Sequence, residues 1–124
     1  MECFGNYYGF EEDYEDKKVL NNSGIEVGEK CIINVFPNSF HFYKISTSEY
    51  SPDGKGNGIG NEFLPSQLEV SKREIQEGSF LFKTKYYILD LSVTYDFPGR
   101  FRKCKHTIKV KERDGKNILA ILNK

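Results

Sequence analysis

The feature that most constrains this chain is a register. Between Tyr86 and Lys111, apolar and polar residues alternate on both sides of Phe97-Pro98-Gly99-Arg100, where proline and glycine occupy the central positions of a type II turn. With the turn centred on Pro98-Gly99, Tyr95 faces Arg102, Val93 faces Cys104, Leu91 faces His106, Leu89 faces Ile108 and Tyr87 faces Val110. One face of that hairpin is nearly all apolar, and a slip of one residue would turn it to water. Asp114-Gly115 suits the type I′ positions of a second hairpin, which sets Val110 against Leu119 and Ile108 against Ile121. The resulting expectation is a three-stranded antiparallel meander over about 86–96, 101–112 and 117–122.

Composition extends this to the whole chain. Ile, Val, Phe and Tyr total 34 residues, whereas Ala, Leu and Met total 10, a choice that suits pleated sheet and not helix. The chain has 124 residues, enough for one domain with a core but too few for two. No apolar run approaches the length of a membrane-spanning helix. The expected fold is all-β, or mainly β with one short helix, arranged as an antiparallel sandwich or a small partly open barrel over a single domain, 1–124.

Other segments are read by their local signals. Residues 2–16 carry six acids, no base and five aromatics, and are expected to form an acidic aromatic N-terminal arm over 1–16, with a turn or two of helix around Phe10 to Tyr14. Cys31 to Ile45 reads as a hairpin around Pro37-Asn38-Ser39, with apolar residues on both faces. Glycines at 54, 56, 58 and 60 mark 51–62 as a flexible loop, which could serve as a lid. Ser66 to Gly78 is ambiguous, because Ser71-Lys72-Arg73-Glu74 has capping-box spacing while Leu68 and Val70 alternate like a strand. Phe80 and Phe82 are even-numbered whereas Tyr87 to Val93 use odd positions, so a bulge, bend or strand break is expected at Lys83-Thr84-Lys85.

The chemistry-bearing residues are few. The glycine segment meets neither dinucleotide nor phosphate-loop spacing, and as a calcium loop it places Lys55 and Leu64 where ligands belong. Cys104 and His106 share one strand face, with Cys31 and His41 elsewhere, but no tight ligand pair marks a zinc site. We therefore expect no metal, no cofactor and no catalytic set, and a non-enzymatic protein. The N-terminus lacks the basic and apolar regions of an export signal, and three widely spaced cysteines suit reduced thiols, so the expected location is cytoplasmic. Asn21-Asn22-Ser23 then reads as a turn.

Charge is the firmer clue. The chain is formally neutral, but residues 1–62 carry a net −6 and residues 63–124 a net +6. Lys103, Lys105, Lys109 and Lys111 fall on one strand face, flanked by Arg100, Phe101 and Arg102. Tyr86, Ile88, Ile118 and Ala120 are expected to gather at one end of that face, where the acidic arm could cover them. The leading expectation is a small binding protein of inhibitor, immunity or adaptor type, acting on a protein partner through Phe101, Arg100, Arg102, Lys103, Lys105, Lys109, Lys111, Tyr86 and Ile88. The alternatives are a nucleic-acid-binding barrel using the basic strand face and a barrel holding a small ligand, with no membrane partner in any of them.

Overall fold

A computed structural model describes residues 1–14, 17–20, 24–97 and 100–124. The strands are β1 (Glu2–Tyr14), β2 (Lys17–Leu20), β3 (Glu29–Phe36), β4 (Ser39–Ile45), β5 (Lys55–Glu62), β6 (Leu68–Gly78), β7 (Lys83–Phe97) and β8 (Arg100–Lys111), followed by the helix α1 (Glu112–Ile121). They form one antiparallel sheet in the order β5-β4-β3-β1-β8-β7-β6, with β2 paired to the end of β1. The two edge strands, β5 and β6, are six pairings apart, which in a flat sheet is about 29 Å. Yet only Phe63 to Gln67 join them, including a 3-10 turn at Pro65–Gln67, and six residue steps reach at most about 21 Å. The sheet must therefore curl its edges toward each other, and it does so without closing. Of the two expected architectures the curled, partly open form is the observed one; a sandwich would need a second sheet.

Curling places the core on the concave side. Ile33 and Val35 of β3, Phe40 and Phe42 of β4, Leu89, Leu91 and Val93 of β7, and Cys104, Ile108 and Val110 of β8 are buried there. The β7–β8 pairing follows the expected register at every rung, including Val93 with Cys104 and Leu91 with His106. The turn residues Pro98 and Gly99 lie outside the described residues, as do Asn21, Asn22 and Ser23. The hairpin at Pro37-Asn38 is also present, pairing Phe36 with Ser39.

Four expectations are corrected. The third meander strand is α1 instead, with Asp114-Gly115 inside the helix. The run Ile118-Leu119-Ala120-Ile121 fits either period, and the helix wins by burying Gly115, Ile118 and Leu122 at intervals of three and four, with Glu112 and Asp114 in its first turn favoured by the amino-terminal partial charge. Gly115 is needed for packing: a Cβ there would lie 2.5 Å from the Tyr87 ring, so its absence lets α1 approach β7. Ile118 consequently sits in the core and Ala120 on the exposed helix face, away from Tyr86 and Ile88.

The N-terminal segment is no peripheral arm and no helix. β1 is an interior strand between β3 and β8, bent where its register shifts between Tyr7 and Gly9. The glycine segment is strand β5 over Lys55–Glu62, because Gly58 and Gly60 lie opposite Tyr43 and His41, whose stacked rings occupy the space side chains would take. Residues 68–78 are strand β6, settling the ambiguity there. No bulge occurs at Lys83-Thr84-Lys85, because Phe80 and Phe82 belong to the exposed turn between β6 and β7 and do not point into the core.

Two outcomes follow. Removal of residues 1–14 takes out an interior strand, so the truncated chain should lose its cooperative unfolding transition entirely, as followed by circular dichroism; a small fall in Tm alone would fit a peripheral arm instead. Gly115→Ala gains helix propensity of about 1 kcal/mol but should lose more through overpacking against Tyr87, for a net destabilisation of about 1–2 kcal/mol in urea unfolding.

Candidate interaction face and the buried histidine

His106 is fully buried on β8 at the centre of the concave face. Tyr7 of β1 lies with its hydroxyl 3.3 Å from Nδ1, and Asn61 of β5 lies with Oδ1 2.6 Å from Nε2. Asn61 Nδ2 donates to the Tyr95 hydroxyl of β7 at 3.3 Å, and that hydroxyl donates to the Glu62 carbonyl. The donors and acceptors run in one direction: Tyr7 O–H to Nδ1, Nε2–H to Asn61, Asn61 N–H to Tyr95, and Tyr95 O–H to backbone. That direction suits a neutral imidazole, and burial, which disfavours the charged form, pushes its pKa down to about 3. Phe42 and Tyr7 lie tilted against the ring and Phe40 meets it edge-on, at centroid distances of 5.1 to 6.3 Å.

Both imidazole nitrogens are thus engaged, and the Tyr7, Phe40 and Phe42 rings enclose the side chain. Cys104 shares its face, but His41 lies on the opposite face, stacked on Tyr43. Among the described residues no group of three His, Cys, Asp or Glu side chains is arranged to hold a metal ion. Burial pushes the Cys3 and Cys31 thiols up to about 12, which opposes thiolate chemistry at neutral pH. None of Tyr7, Asn61 or Tyr95 stood out in the sequence, since only the curl of the sheet brings them to His106.

The convex face carries the expected lysines. Lys103, Lys105, Lys109 and Lys111 alternate with the buried Cys104, His106, Ile108 and Val110, so all four lie on the convex side of β8. Tyr86 and Ile88 join them from β7, half-buried. Arg102 does not: it falls on the concave side opposite Tyr95, with its guanidinium 5.9 Å from that ring. The side chains of Arg100 and Phe101 lie outside the described residues.

Two of the convex lysines, Lys105 and Lys109, are paired with acids of neighbouring strands. β1 runs antiparallel to β8 with Glu11 opposite Lys105 and Asp13 opposite Lys103, and the Lys105–Glu11 ion pair spans 3.4 Å. Lys109 reaches Glu77 of β6 while lying over the Tyr86 ring, and the Glu77 carboxylate holds its ammonium above the usual lysine range. The negative and positive halves of the chain thus meet edge to edge within the sheet.

Where β1 and β8 diverge toward α1, the convex face opens into a groove of about 520 Å³. Phe4 and Tyr86 stand on its two sides, with Lys30, Lys109, Lys111 and Arg113 set against Glu2 and Asp114 around it. Lys30 lies 4.9 Å from the Phe4 ring centroid. Phe4 is 55% exposed and Tyr8, further along β1, 40%. The sequence pointed to Lys109, Lys111 and Tyr86 but missed Phe4 and Lys30, which enter because β1 pairs with β3 inside the sheet, and Arg113, which enters because 112–121 is helical. Comparison with protein-family models, with curated proteins and with solved structures finds no match.

The histidine makes a testable prediction. Unfolded, it binds a proton near pH 6.5; folded, only near pH 3, so its contribution to stability is complete above pH 6.5 and declines as pH falls toward 3. The stability difference between the native chain and His106→Phe should therefore narrow by about 1.4 kcal/mol per pH unit below 6.5. Urea unfolding at pH 7, 6 and 5 measures this, and a constant difference would rule out a buried neutral imidazole.

Proposed function

We propose that this protein is a non-enzymatic binding protein that acts by occupying a partner protein, as an inhibitor, immunity or adaptor protein does. The observation that carries the reading is the convex groove, where exposed Phe4 and half-buried Tyr86 flank an opening ringed by both signs of charge. Aromatic anchors within a mixed-charge rim suit protein recognition, in which a few such side chains supply most of the affinity. The fully engaged histidine and the raised thiol pKa values support a role without catalysis.

The nucleic-acid reading has less support. Lys105 and Lys109 are paired with Glu11 and Glu77, which leaves less uncompensated charge for phosphates than a bare lysine face would offer. The small-ligand reading is disfavoured by a concave side occupied by Phe40, Phe42, Phe63 and Tyr7.

The test is affinity capture from the native host with the intact chain and with Phe4→Ala/Tyr86→Ala. A protein held stoichiometrically by the intact chain should bind the variant more than tenfold more weakly, while the variant keeps its Tm. Equal retention by both, or no stoichiometric protein on either, would overturn the reading. Binding of single-stranded oligonucleotides that falls steeply with salt would favour nucleic acid instead.

A further inference from the structure

The β6–β7 hairpin extends beyond the rest of the sheet. β8 ends at Lys111, opposite Tyr86, so the rungs Gln76–Lys85, Glu77–Thr84 and Gly78–Lys83 have no third strand beside them. This two-stranded ribbon projects about 10 Å and every residue from 76 to 85 is exposed. Its turn, closed by the Phe82 N–H donating to the Ser79 carbonyl at 3.2 Å, presents three consecutive large apolar side chains. Phe80 is 92% exposed, and Leu81 and Phe82 are 79% exposed each. These are among the most exposed apolar residues described, and they sit together at the far point of a protrusion.

The charge behind the tip is positive. Lys83 and Lys85 on the ribbon and Lys111 at its base, opposite Tyr86, outnumber the ribbon's single acid, Glu77, which is paired with Lys109. Lys83 and Lys85 lie on one side of the ribbon and Lys111, at its base, on the other, so bases stand behind the apolar tip on both sides. An apolar point with a basic collar is the arrangement that enters a lipid interface: the apolar side chains reach about 5–10 Å to the headgroup and acyl boundary while lysine stems keep their ammonium groups among anionic headgroups. An apolar pocket on a protein would accept the tip but has no need of the collar.

We propose that the β6–β7 hairpin is a docking element for anionic lipid surfaces, with Phe80, Leu81 and Phe82 inserting at the interface and Lys83 and Lys85 contacting the headgroups. This is surface attachment, distinct from spanning, for which no described helix is long and apolar enough. It goes beyond the protein-binding reading and uses a different part of the molecule, so an adaptor could hold a partner on the convex groove while its ribbon rests on a membrane.

The chain contains no tryptophan, so Phe82→Trp supplies a single reporter at the tip. With vesicles of phosphatidylcholine mixed with phosphatidylserine, its emission should shift to the blue and be quenched by brominated lipid, while Phe36→Trp, in another exposed position, should not respond. In vesicle co-sedimentation, Phe80→Ser/Phe82→Ser should bind more than tenfold more weakly with an unchanged Tm, because neither side chain is packed. Lys83→Gln/Lys85→Gln should lose the preference for phosphatidylserine over phosphatidylcholine alone, and added salt should weaken the binding of the intact chain. Phe4→Ala/Tyr86→Ala should bind vesicles like the intact chain, which separates this proposal from the partner-binding one. Absence of vesicle binding, or equal binding by the tip variant, would overturn the proposal. So would self-association or capture of a host protein that depends on the tip while vesicles go unbound.

Discussion

The arrangement of this molecule depends on bringing β5 back over β8. Four strand pairings separate them along the sheet, about 19 Å if it were flat, yet Asn61 Oδ1 lies 2.6 Å from His106 Nε2. The contact exists because the sheet curls, and the polar chain from Tyr7 through His106 and Asn61 to Tyr95 ties four strands across the concave space. A buried network of this kind is stabilising only when each member is satisfied, since one unpaired buried group costs about 1–3 kcal/mol. Around it Phe40, Phe42 and Phe63 fill the remaining volume, and α1 closes one end through its contact with Tyr87. The concave side is thus filled by the side chains that hold the fold.

The placement of β1 resolves the charge asymmetry. A chain that is −6 in one half and +6 in the other, with the acids at its N-terminus, could have folded its charges apart as a strong dipole. Threading the acidic strand beside the basic β8 sets Glu11 against Lys105 instead, and each such exposed pair contributes only about 0.2–1 kcal/mol. The larger effect is on specificity, because like charges opposite each other would disfavour wrong registers and the complementary pattern favours one. The same insertion brings Phe4 to the convex face across from Tyr86 and so creates the groove.

The β7–β8 hairpin and its register could be read from the sequence because the information is local: a proline-glycine turn and period-two alternation fix pairing without reference to the rest of the chain. The β3–β4 hairpin was legible for the same reason. α1 was misread because a four-residue apolar run satisfies both periods, and Asp-Gly is a turn signal only when no helix needs a glycine to pack against a ring such as Tyr87. β5 was misread because its glycines make sense only beside the aromatic rings of β4. Of the candidate binding residues, the convex lysines followed from alternation alone, whereas Phe4 and Lys30 depended on the pairing of β1 with β3 and Arg113 on the helix that replaces the expected third strand.

By itself the sequence determined a mainly β molecule, the inward face of its best hairpin and the basic stripe opposite that face, all consequences of side-chain alternation and turn chemistry between near neighbours. Tertiary structure alone decided that the acidic N-terminus is an interior strand, that the sheet curls around a histidine, and that Phe80, Leu81 and Phe82 stand in solvent. Those outcomes rest on pairings between strands far apart in the chain. Their free energy comes from burying a shared face, which no local window of residues encodes.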